Sequence, residues 1–202
     1  MSQPFIVGFG GTTRPGSSSE KLVRAGLAAC EAHGAKVRLF DGAYLSTLPH
    51  YAPEDPQRTA AQTEFVEAIR QCDGLIIGTP AYHGGISGLV KNALDLLEDL
   101  RADARVYFDA RPVGLMVSAA GWQGTGITLS ALRDMVHAMR GWPTPIGVTV
   151  NSLAGPIFND QGKIADPQVA ATVTAQAEQV IRFSHAFRAS PALSGQDLQR
   201  AS

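Results

Sequence analysis

Short apolar runs alternate along the chain with longer stretches in which apolar residues recur every three or four positions. The first helical stripe is marked by Val23, Leu27 and Cys30. Another is marked by Phe65, Ile69 and Cys72. The apolar runs open into Gly, Ser or Pro, and they are Phe5 to Gly10, Lys36 to Phe40, Gly74 to Thr79, Val113 to Ser118 and Ile146 to Asn151. This alternation predicts a five-stranded parallel sheet with helices on both faces, an α/β fold.

The third and fourth predicted helices carry more apolar positions than one sheet face needs. The third spans about residues 88–100 and the fourth about residues 128–140, and leucines lie on more than one stripe of each. A core contact on two sides explains this surplus, and so does association with a second copy of the chain. Both interpretations stay open. Val169, Val173, Ala177, Val180 and Ile181 predict a last helix.

Length and composition limit the function classes. The 202 residues suit a single domain, predicted over residues 1–187, with a flexible tail over 188–202. The net charge of -1 and the absence of a basic run argue against nucleic acid. No apolar stretch approaches the ~20 residues that cross a bilayer, so we expect a cytoplasmic protein with no membrane contact. Cys30 and Cys72 lie on apolar stripes and are interpreted as buried small hydrophobes.

The loop after the first strand carries the strongest chemical signal. Strand-like residues break into a turn that leads directly to a helix, and the turn reads Gly11-Thr12-Thr13-Arg14-Pro15-Gly16-Ser17-Ser18-Ser19. Free N–H groups and the positive end of the helix dipole favour a phosphate there, with hydroxyls and one guanidinium nearby. Helix capping alone also explains a serine cluster at this place, so this loop by itself does not establish a phosphate site.

Two further loops follow strands of the same sheet edge. The third strand leads into Pro80, Ala81, Tyr82, His83 and Gly84, and the fourth leads from Ser118 through Ala120, Gly121 and Trp122 to Gly124. In a parallel sheet, ligands lie beyond the carboxyl ends of the strands. Glycines allow close approach to a flat ligand, and Tyr82 and Trp122 offer rings, although both can equally be rim or interface aromatics. A phosphate cradle beside two such loops suits flavin mononucleotide (FMN).

The same three segments, with Lys91-Asn92-Ala93-Leu94-Asp95, resemble the NAD(P)H-dependent FMN reductases of the flavodoxin-like superfamily. The resemblance implies strand order 2-1-3-4-5 and FMN as cofactor. It places the FMN phosphate on Thr12, Arg14, Ser17 and Ser19, with Thr13 and Ser18 in the same loop. It places the isoalloxazine against residues 80–84, and it completes the pocket with Ser118, Ala120, Gly121, Trp122 and Gly124. His83 and Ser87 depart from the Asn and Pro that are common in the family.

Lys91, Asn92 and Asp95 are interpreted as structural. A Lys and an Asp four residues apart can pair on a helix, and an Asn side chain can bond to nearby loop backbone. The segment from Asp41 to Arg58 is too long for a simple connection, and it either borders the ligand site or only crosses the surface.

Three other functions fit the sequence less well. A dinucleotide-binding domain fits poorly, because Thr13 stands where the third glycine is required and Asp41 lies about 30 residues on, where about 20 is usual. No hydrolase or metal-site spacing is present, so no catalytic or metal-binding residue is predicted. A flavodoxin-type electron carrier shares the fold and the cofactor, but such carriers are usually strongly acidic.

The resemblance therefore implies an oxidoreductase that passes a hydride from NADPH or NADH, through the flavin, to a small acceptor. The acceptor can be free flavin for a partner monooxygenase, a quinone, or an azo, nitro or metal-oxyanion compound, and the sequence does not choose. A homodimer or homotetramer is expected from the apolar third and fourth helices.

Overall fold

The computed structural model describes residues 3–189, and these form a sheet with helices packed on both faces. The strands are β1 (Phe5–Gly10), β2 (Lys36–Phe40), β3 (Gly74–Tyr82), β4 (Gly85–Ile86), β5 (Pro112–Ala119), β6 (Trp142–Pro143) and β7 (Val148–Asn151). The helices are α1 (Ser18–Ala32), α2 (Gly42–Leu45), α3 (Ala60–Gln71), α4 (Gly88–Asp95), α5 (Trp122–Ala138) and α6 (Pro167–Ala189), with a 3-10 helix over Leu96–Leu100.

The parallel sheet has the order β2-β1-β3-β5-β6, and β7 pairs with the same edge of β5 as β6 does. Counting β6 and β7 as one interrupted fifth strand, this is the predicted order 2-1-3-4-5. The interruption falls where Pro143 and Pro145 remove ladder donors, so the predicted start at Ile146 moves to Val148. The fold class is confirmed.

Each face of the sheet buries its own apolar cluster. On one side α3, α4 and α5 cover residues such as Phe9, Phe65 and Leu97, and the rings of Phe9 and Phe65 meet edge to face at 5.4 Å. On the other side α1 and α6 cover residues such as Ile6 and Met116. This two-sided burial explains why the strands read as nearly unbroken apolar runs.

The surplus leucines of the third and fourth predicted helices are largely accounted for within the chain. Leu96, Leu97 and Leu100 are fully buried, because the chain tightens from α4 into the 3-10 helix and turns these side chains inward. Leu132 and Val136 of α5 are also fully buried. The half-exposed Ile127 and the partly buried Leu89 and Leu129 are what remains for contact with a partner.

The long segment after β2 is tied down by two side chains. Asn92 accepts a hydrogen bond from the Tyr51 N–H at 2.8 Å and donates to the carbonyl of Pro49 at 3.1 Å. Arg58 forms a paired contact with Asp99, at 2.8 Å and 2.9 Å. The structural role expected for Asn92 is confirmed, as is the helix pair between Lys91 and Asp95.

The domain boundary predicted at residue 187 stays a prediction. Helix α6 continues through Arg188 to Ala189, and the rest of the predicted tail, residues 190–202, lies outside the described residues. None of the helices within residues 3–189 combines the length and apolar character needed to cross a bilayer.

Both cysteines are buried and unpaired, as interpreted from the sequence. Burial raises the pKa of Cys72 to about 11 and that of Cys30 to about 12. Both side chains are therefore neutral thiols at physiological pH, with the packing role of small apolar residues.

Candidate functional site

A cavity of about 410 Å³ opens at the carboxyl edge of the sheet and is lined by most of the predicted cofactor residues. The strand register explains why they meet: Gly10 of β1 lies opposite Gly78 of β3, and Pro80 lies opposite Ser118 of β5. Parallel strands therefore end side by side at this edge. The cavity is lined by Thr12, Thr13, Arg14, Ser17, Ser18, Ser19, Pro80, Ala81, Tyr82, Ser118 and Ser152.

The floor of the cavity depends on close contact between two backbones. A Cβ atom on Gly10 would lie 2.0 Å from the carbonyl oxygen of Gly78, and Gly10 has a φ of +148°. Any other residue would push the β1 end away from β3 and would move the loop that follows. The glycine is thus required where the chain leaves the sheet and turns toward α1.

The loop over residues 12–19 presents open hydrogen-bond donors to the cavity. Within residues 3–189, no acceptor is in hydrogen-bond contact with the N–H of Ser18 or Ser19, the first residues of α1. Ser17 caps the helix through the Glu20 N–H at 3.4 Å, and its hydroxyl lies 3.4 Å from that of Ser19. The Arg14 side chain is exposed at the rim. These groups suit a phosphate monoester, so this structure fits an FMN phosphate.

A carboxylate beneath the loop, which the sequence analysis did not select, holds it in shape. Glu20 is buried, and its Oε2 accepts from the Gly16 N–H at 3.3 Å while Oε1 accepts from Arg24 at 2.8 Å. Arg24 also donates to Asp41 at 3.0 Å. The signal was present in the Ser-x-x-Glu spacing of Ser17 and Glu20, which is typical of a capping box.

The second wall is a tight hairpin between β3 and β4. Strand β3 continues three residues beyond the predicted end at Thr79, and Tyr82 pairs with Gly85 across His83 and Gly84. His83 and Gly84 have φ values of +53° and +79°, as a type I′ turn requires. Asn and His both tolerate this conformation better than most residues, which explains how His83 can replace the family's Asn.

Ser87, the other departure from the family pattern, caps α4. Its hydroxyl accepts from the Val90 N–H at 3.2 Å, and its own N–H donates to the buried hydroxyl of Thr79 at 3.0 Å. Neither His83 nor Gly84 lines the cavity, and Ser87 does not either. The residues of this hairpin that face the cavity are Pro80, Ala81 and Tyr82, and Tyr82 is 52% exposed.

The third wall differs from the predicted loop because helix α5 begins at Trp122. The segment over Trp122–Thr125 is therefore the first helical turn. Gly121 precedes it with a φ of +134° and provides no side-chain cap, so the first N–H groups of α5 stay open. A Cβ on Gly124 would lie 3.5 Å from Ala119 and 3.7 Å from Ala81. The start of α5 and the end of β3 are thus neighbours.

Four predicted residues near this wall do not line the cavity: Ala120, Gly121, Trp122 and Gly124. Trp122 is 61% exposed and lines a neighbouring cavity of about 450 Å³ instead. Conversely, Ser152 lines the predicted cavity although the sequence analysis missed it. Its N–H donates to the carbonyl of Ala119 at 2.8 Å. Because it follows the fifth strand at the same sheet edge, the carboxyl-end rule could have found it.

The polar side chains that line the cavity carry hydroxyls and one guanidinium. No histidine lines the cavity within residues 3–189, and that part of the chain holds no group of three or more His, Cys, Asp or Glu side chains that could bind a metal ion. The site combines anion-binding donors, a wall formed by Pro80, Ala81 and Tyr82, and an open helix N-terminus. Such a site can bind and orient a phosphorylated planar cofactor that itself performs the redox chemistry.

Comparison with known families agrees with this geometry. The model of the NADPH-dependent FMN reductase family matches residues 4–154, which include every predicted cofactor residue. The chain belongs to this family. It is therefore an FMN-dependent NAD(P)H oxidoreductase, with FMN as cofactor and NADPH as co-substrate, and the electron-carrier alternative is set aside.

A curated relative supports the family match, and two solved structures have the same fold. The FMN-dependent NADPH-azoreductase of Staphylococcus haemolyticus is 30% identical over 146 residues, covering 70% of this chain and 73% of the relative. The NAD(P)H:(acceptor) oxidoreductase FerB of Paracoccus denitrificans superimposes with a TM-score of 0.71 at 17% identity, covering 91% of this chain and 98% of FerB. A WrbA-like flavodoxin of Agrobacterium tumefaciens gives 0.62 at 16% identity, covering 92% and 98%. The two structures show the shared fold.

Proposed function

We propose that the 410 Å³ cavity is the FMN site of this reductase and that its physiological acceptor is a small planar molecule such as a quinone, an azo compound or free flavin. The observation that carries the proposal is the convergence of the 12–19 loop, the β3 end and the β5 end on one cavity. The azoreductase relative supports an aromatic acceptor.

Each wall of the cavity has a distinct task in this proposal. The open N–H groups of Ser18 and Ser19, with the hydroxyl of Ser17 and the Arg14 guanidinium, bind the phosphate. Glu20 keeps the loop in the binding conformation through the Gly16 N–H. The backbone of Pro80 and Ala81 and the β5 end orient the ring system.

The chemistry places few demands on side chains. FMN, when bound, supplies a ring that takes a hydride from NAD(P)H and hands two electrons to the acceptor. The open N-terminus of α5, close to Ala81 and Ala119, favours negative charge at this edge of the ring. Tyr82, half-exposed on the hairpin, screens one side of the cavity from water. We assign no proton-transfer role to any residue of this chain.

Anaerobic absorbance spectroscopy tests the proposed function. Protein titrated with FMN is expected to retain the cofactor through gel filtration, and NADPH is expected to bleach the flavin band. Addition of a quinone or an azo dye should then restore the band with stoichiometric loss of the acceptor. Protein that retains no FMN, or that bleaches without passing electrons to any of these acceptors, would contradict the proposal.

We also propose a cytoplasmic homo-oligomer. Ile127 is 50% exposed and lies beside Gly84 of the β3–β4 hairpin, so it offers an apolar contact that a second copy can cover. Both cysteines are unpaired, as is usual where thiols stay reduced. A partner monooxygenase that receives reduced flavin is a further expectation of the family resemblance.

Multi-angle light scattering is expected to report a dimer or a tetramer at micromolar concentration. Ile127→Asp should shift the equilibrium toward monomer, because a carboxylate would be buried in the interface. Ser130→Asp, on the same helix and already exposed, is the matched control. A parent protein that is monomeric at this concentration would show the oligomer proposal to be wrong.

A further inference from the structure

The second cavity at the carboxyl edge, about 450 Å³ in volume, belongs to no part of the site described so far. It lies between the end of β7, the segment after it and the start of α6, with Trp122 among the residues that line it. Asn151 lines this cavity and the next residue, Ser152, lines the FMN cavity. The two cavities are therefore neighbours along one edge of the sheet.

Two features of this cavity indicate a ligand with an aromatic ring. Trp122 is a large apolar side chain that is 61% exposed, which costs hydrophobic free energy unless a ligand covers it. Asn151 is more than nine-tenths buried, and its Oδ1 accepts from the Leu153 N–H at 3.0 Å. Within residues 3–189 its Nδ2 has no hydrogen-bond acceptor and is accessible, so this donor is open to a ligand's oxygen or nitrogen.

The charge of the lining decides which substrate fits. Asp166 is the only charged residue among those that line the cavity within the described part of the chain, and no Lys or Arg is present. Its Oδ1 caps α6 through Gln168 and Val169, at 2.8 Å and 3.1 Å. The Asp166 carboxylate disfavours the phosphorylated adenosine end of NADPH, because like charges repel and no cationic side chain lines this cavity within the described residues. An uncharged electron acceptor has no phosphate and is not repelled by Asp166.

From these observations we infer that the cavity beside Trp122 is the subsite for the distal ring of the electron acceptor, and that it selects uncharged or cationic aromatic acceptors over anionic ones. The inference rests on the proposed function, because the reacting end of the acceptor must lie in the FMN cavity. Trp122 stacks on the distal ring, Asn151 donates to a polar atom of the acceptor, and Asp166 disfavours sulfonate or carboxylate substituents.

Equilibrium dialysis of azo dyes against the FMN-loaded protein, without NADPH, tests this inference in the absence of turnover. Aminoazobenzene and its sulfonated derivative share one frame and differ by one negative charge. We expect the neutral dye to bind about three- to tenfold more tightly than the sulfonate, as the repulsion of one partly exposed carboxylate predicts. Equal affinity for the two dyes would overturn the charge selection.

Three variants assign the effect to residues. Asp166→Asn keeps a side chain that caps α6 and should bring the two affinities together. Trp122→Ala should weaken both dyes by about fivefold or more, as loss of a stacked ring does. Asn151→Asp keeps the acceptor for Leu153 while it removes the free donor, and it should weaken the neutral dye. The matched control is Trp142→Ala, which removes the other exposed tryptophan, on β6, and should change neither dye.

The absorbance of bound flavin in the same samples separates the two proposals. Variants that retain FMN and bind both dyes as the parent does would overturn the subsite while the proposed function stands. Parent protein that retains no FMN would overturn the proposed function first. Circular dichroism of each variant identifies one that has lost its fold, and the Asp166→Asn comparison then decides, because that variant keeps the helix cap.

Discussion

Replacing Arg14 with alanine is expected to weaken FMN binding by about 10- to 150-fold, because a charge-assisted hydrogen bond to phosphate contributes about 1.5 to 3 kcal/mol. Arg14 lies at the rim of the cavity and is exposed, so the lower part of this range is expected. Arg14→Lys should lose less affinity, since it keeps the charge and loses only the paired donor geometry. Fluorescence quenching of flavin on titration measures each dissociation constant.

Riboflavin provides the control, because it has the same ring system and no phosphate. The Arg14→Ala substitution should leave the affinity for riboflavin unchanged. It should lower the affinity for FMN toward that for riboflavin. If the variant lost affinity for riboflavin and FMN equally, Arg14 would act on the ring or on the fold. If it bound FMN as tightly as the parent, Arg14 would not belong to the site.

The second large effect concerns stability and depends on a guanidinium in the core. Arg111 is fully buried at the start of β5. Its donors reach the carbonyls of Tyr107 and Arg70, each at 2.7 Å, and that of Cys72 at 3.2 Å, with a longer contact to that of Asp109 at 3.5 Å. Two of these carbonyls lie at the C-terminal end of α3, where the C=O groups of a helix have no N–H donor within the helix. Burial lowers the pKa of Arg111, but arginine remains charged at every physiological pH.

Arg111→Met is expected to lower the free energy of unfolding by about 2 to 4 kcal/mol in protein without FMN. Each buried acceptor left without a partner costs about 1 to 3 kcal/mol, and removal of a buried charge offsets part of this loss. Urea denaturation followed by circular dichroism measures the change. The free energy of unfolding of Arg111→Lys should lie between those of the parent and Arg111→Met. An ammonium group keeps the charge but cannot reach several carbonyls in one plane as a guanidinium does.

Arg101→Met is the matched control for this prediction. Arg101 is exposed after the 3-10 helix, and its replacement should change the free energy of unfolding by less than about 0.5 kcal/mol. Equal stability of Arg111→Met and the parent would show that the buried charge costs as much as its hydrogen bonds contribute. The α3 end would then be held by packing alone.

Much of the fold could be predicted from local patterns. Five apolar runs indicated the parallel sheet, and Val23, Leu27 and Cys30 indicated the buried face of α1, because periodicity depends only on spacing. The strand order came from the family resemblance. The end of β3 could not be placed, since its last residues pair with β4 through a turn made by His83 and Gly84. The break between β6 and β7 was also missed, because the two short pieces are strands only through their pairing with β5.

Some residues of the candidate site could be predicted from the sequence and others could not. The loop over residues 12–19 was predicted in full, because its glycines, hydroxyls and helix start are contiguous in sequence. Ser152 and Asn151 were missed, since their neighbours in space come from β5, more than thirty positions earlier. Trp122 lines the neighbouring cavity, where the start of α5 places it, and its predicted contact with the cofactor stays a prediction.

The sequence by itself determined the elements, the two-sided sheet and the chemistry of the phosphate loop, because each follows from residues close together in the chain. Tertiary structure decided which loops share a cavity and that Trp122 and Asn151 line a separate one. It also decided that the buried side chains of Arg111 and Glu20 form hydrogen bonds with the backbone at the end of α3 and in the phosphate loop. These properties depend on distances between residues far apart in sequence, and such distances are set only when strands pair and helices pack.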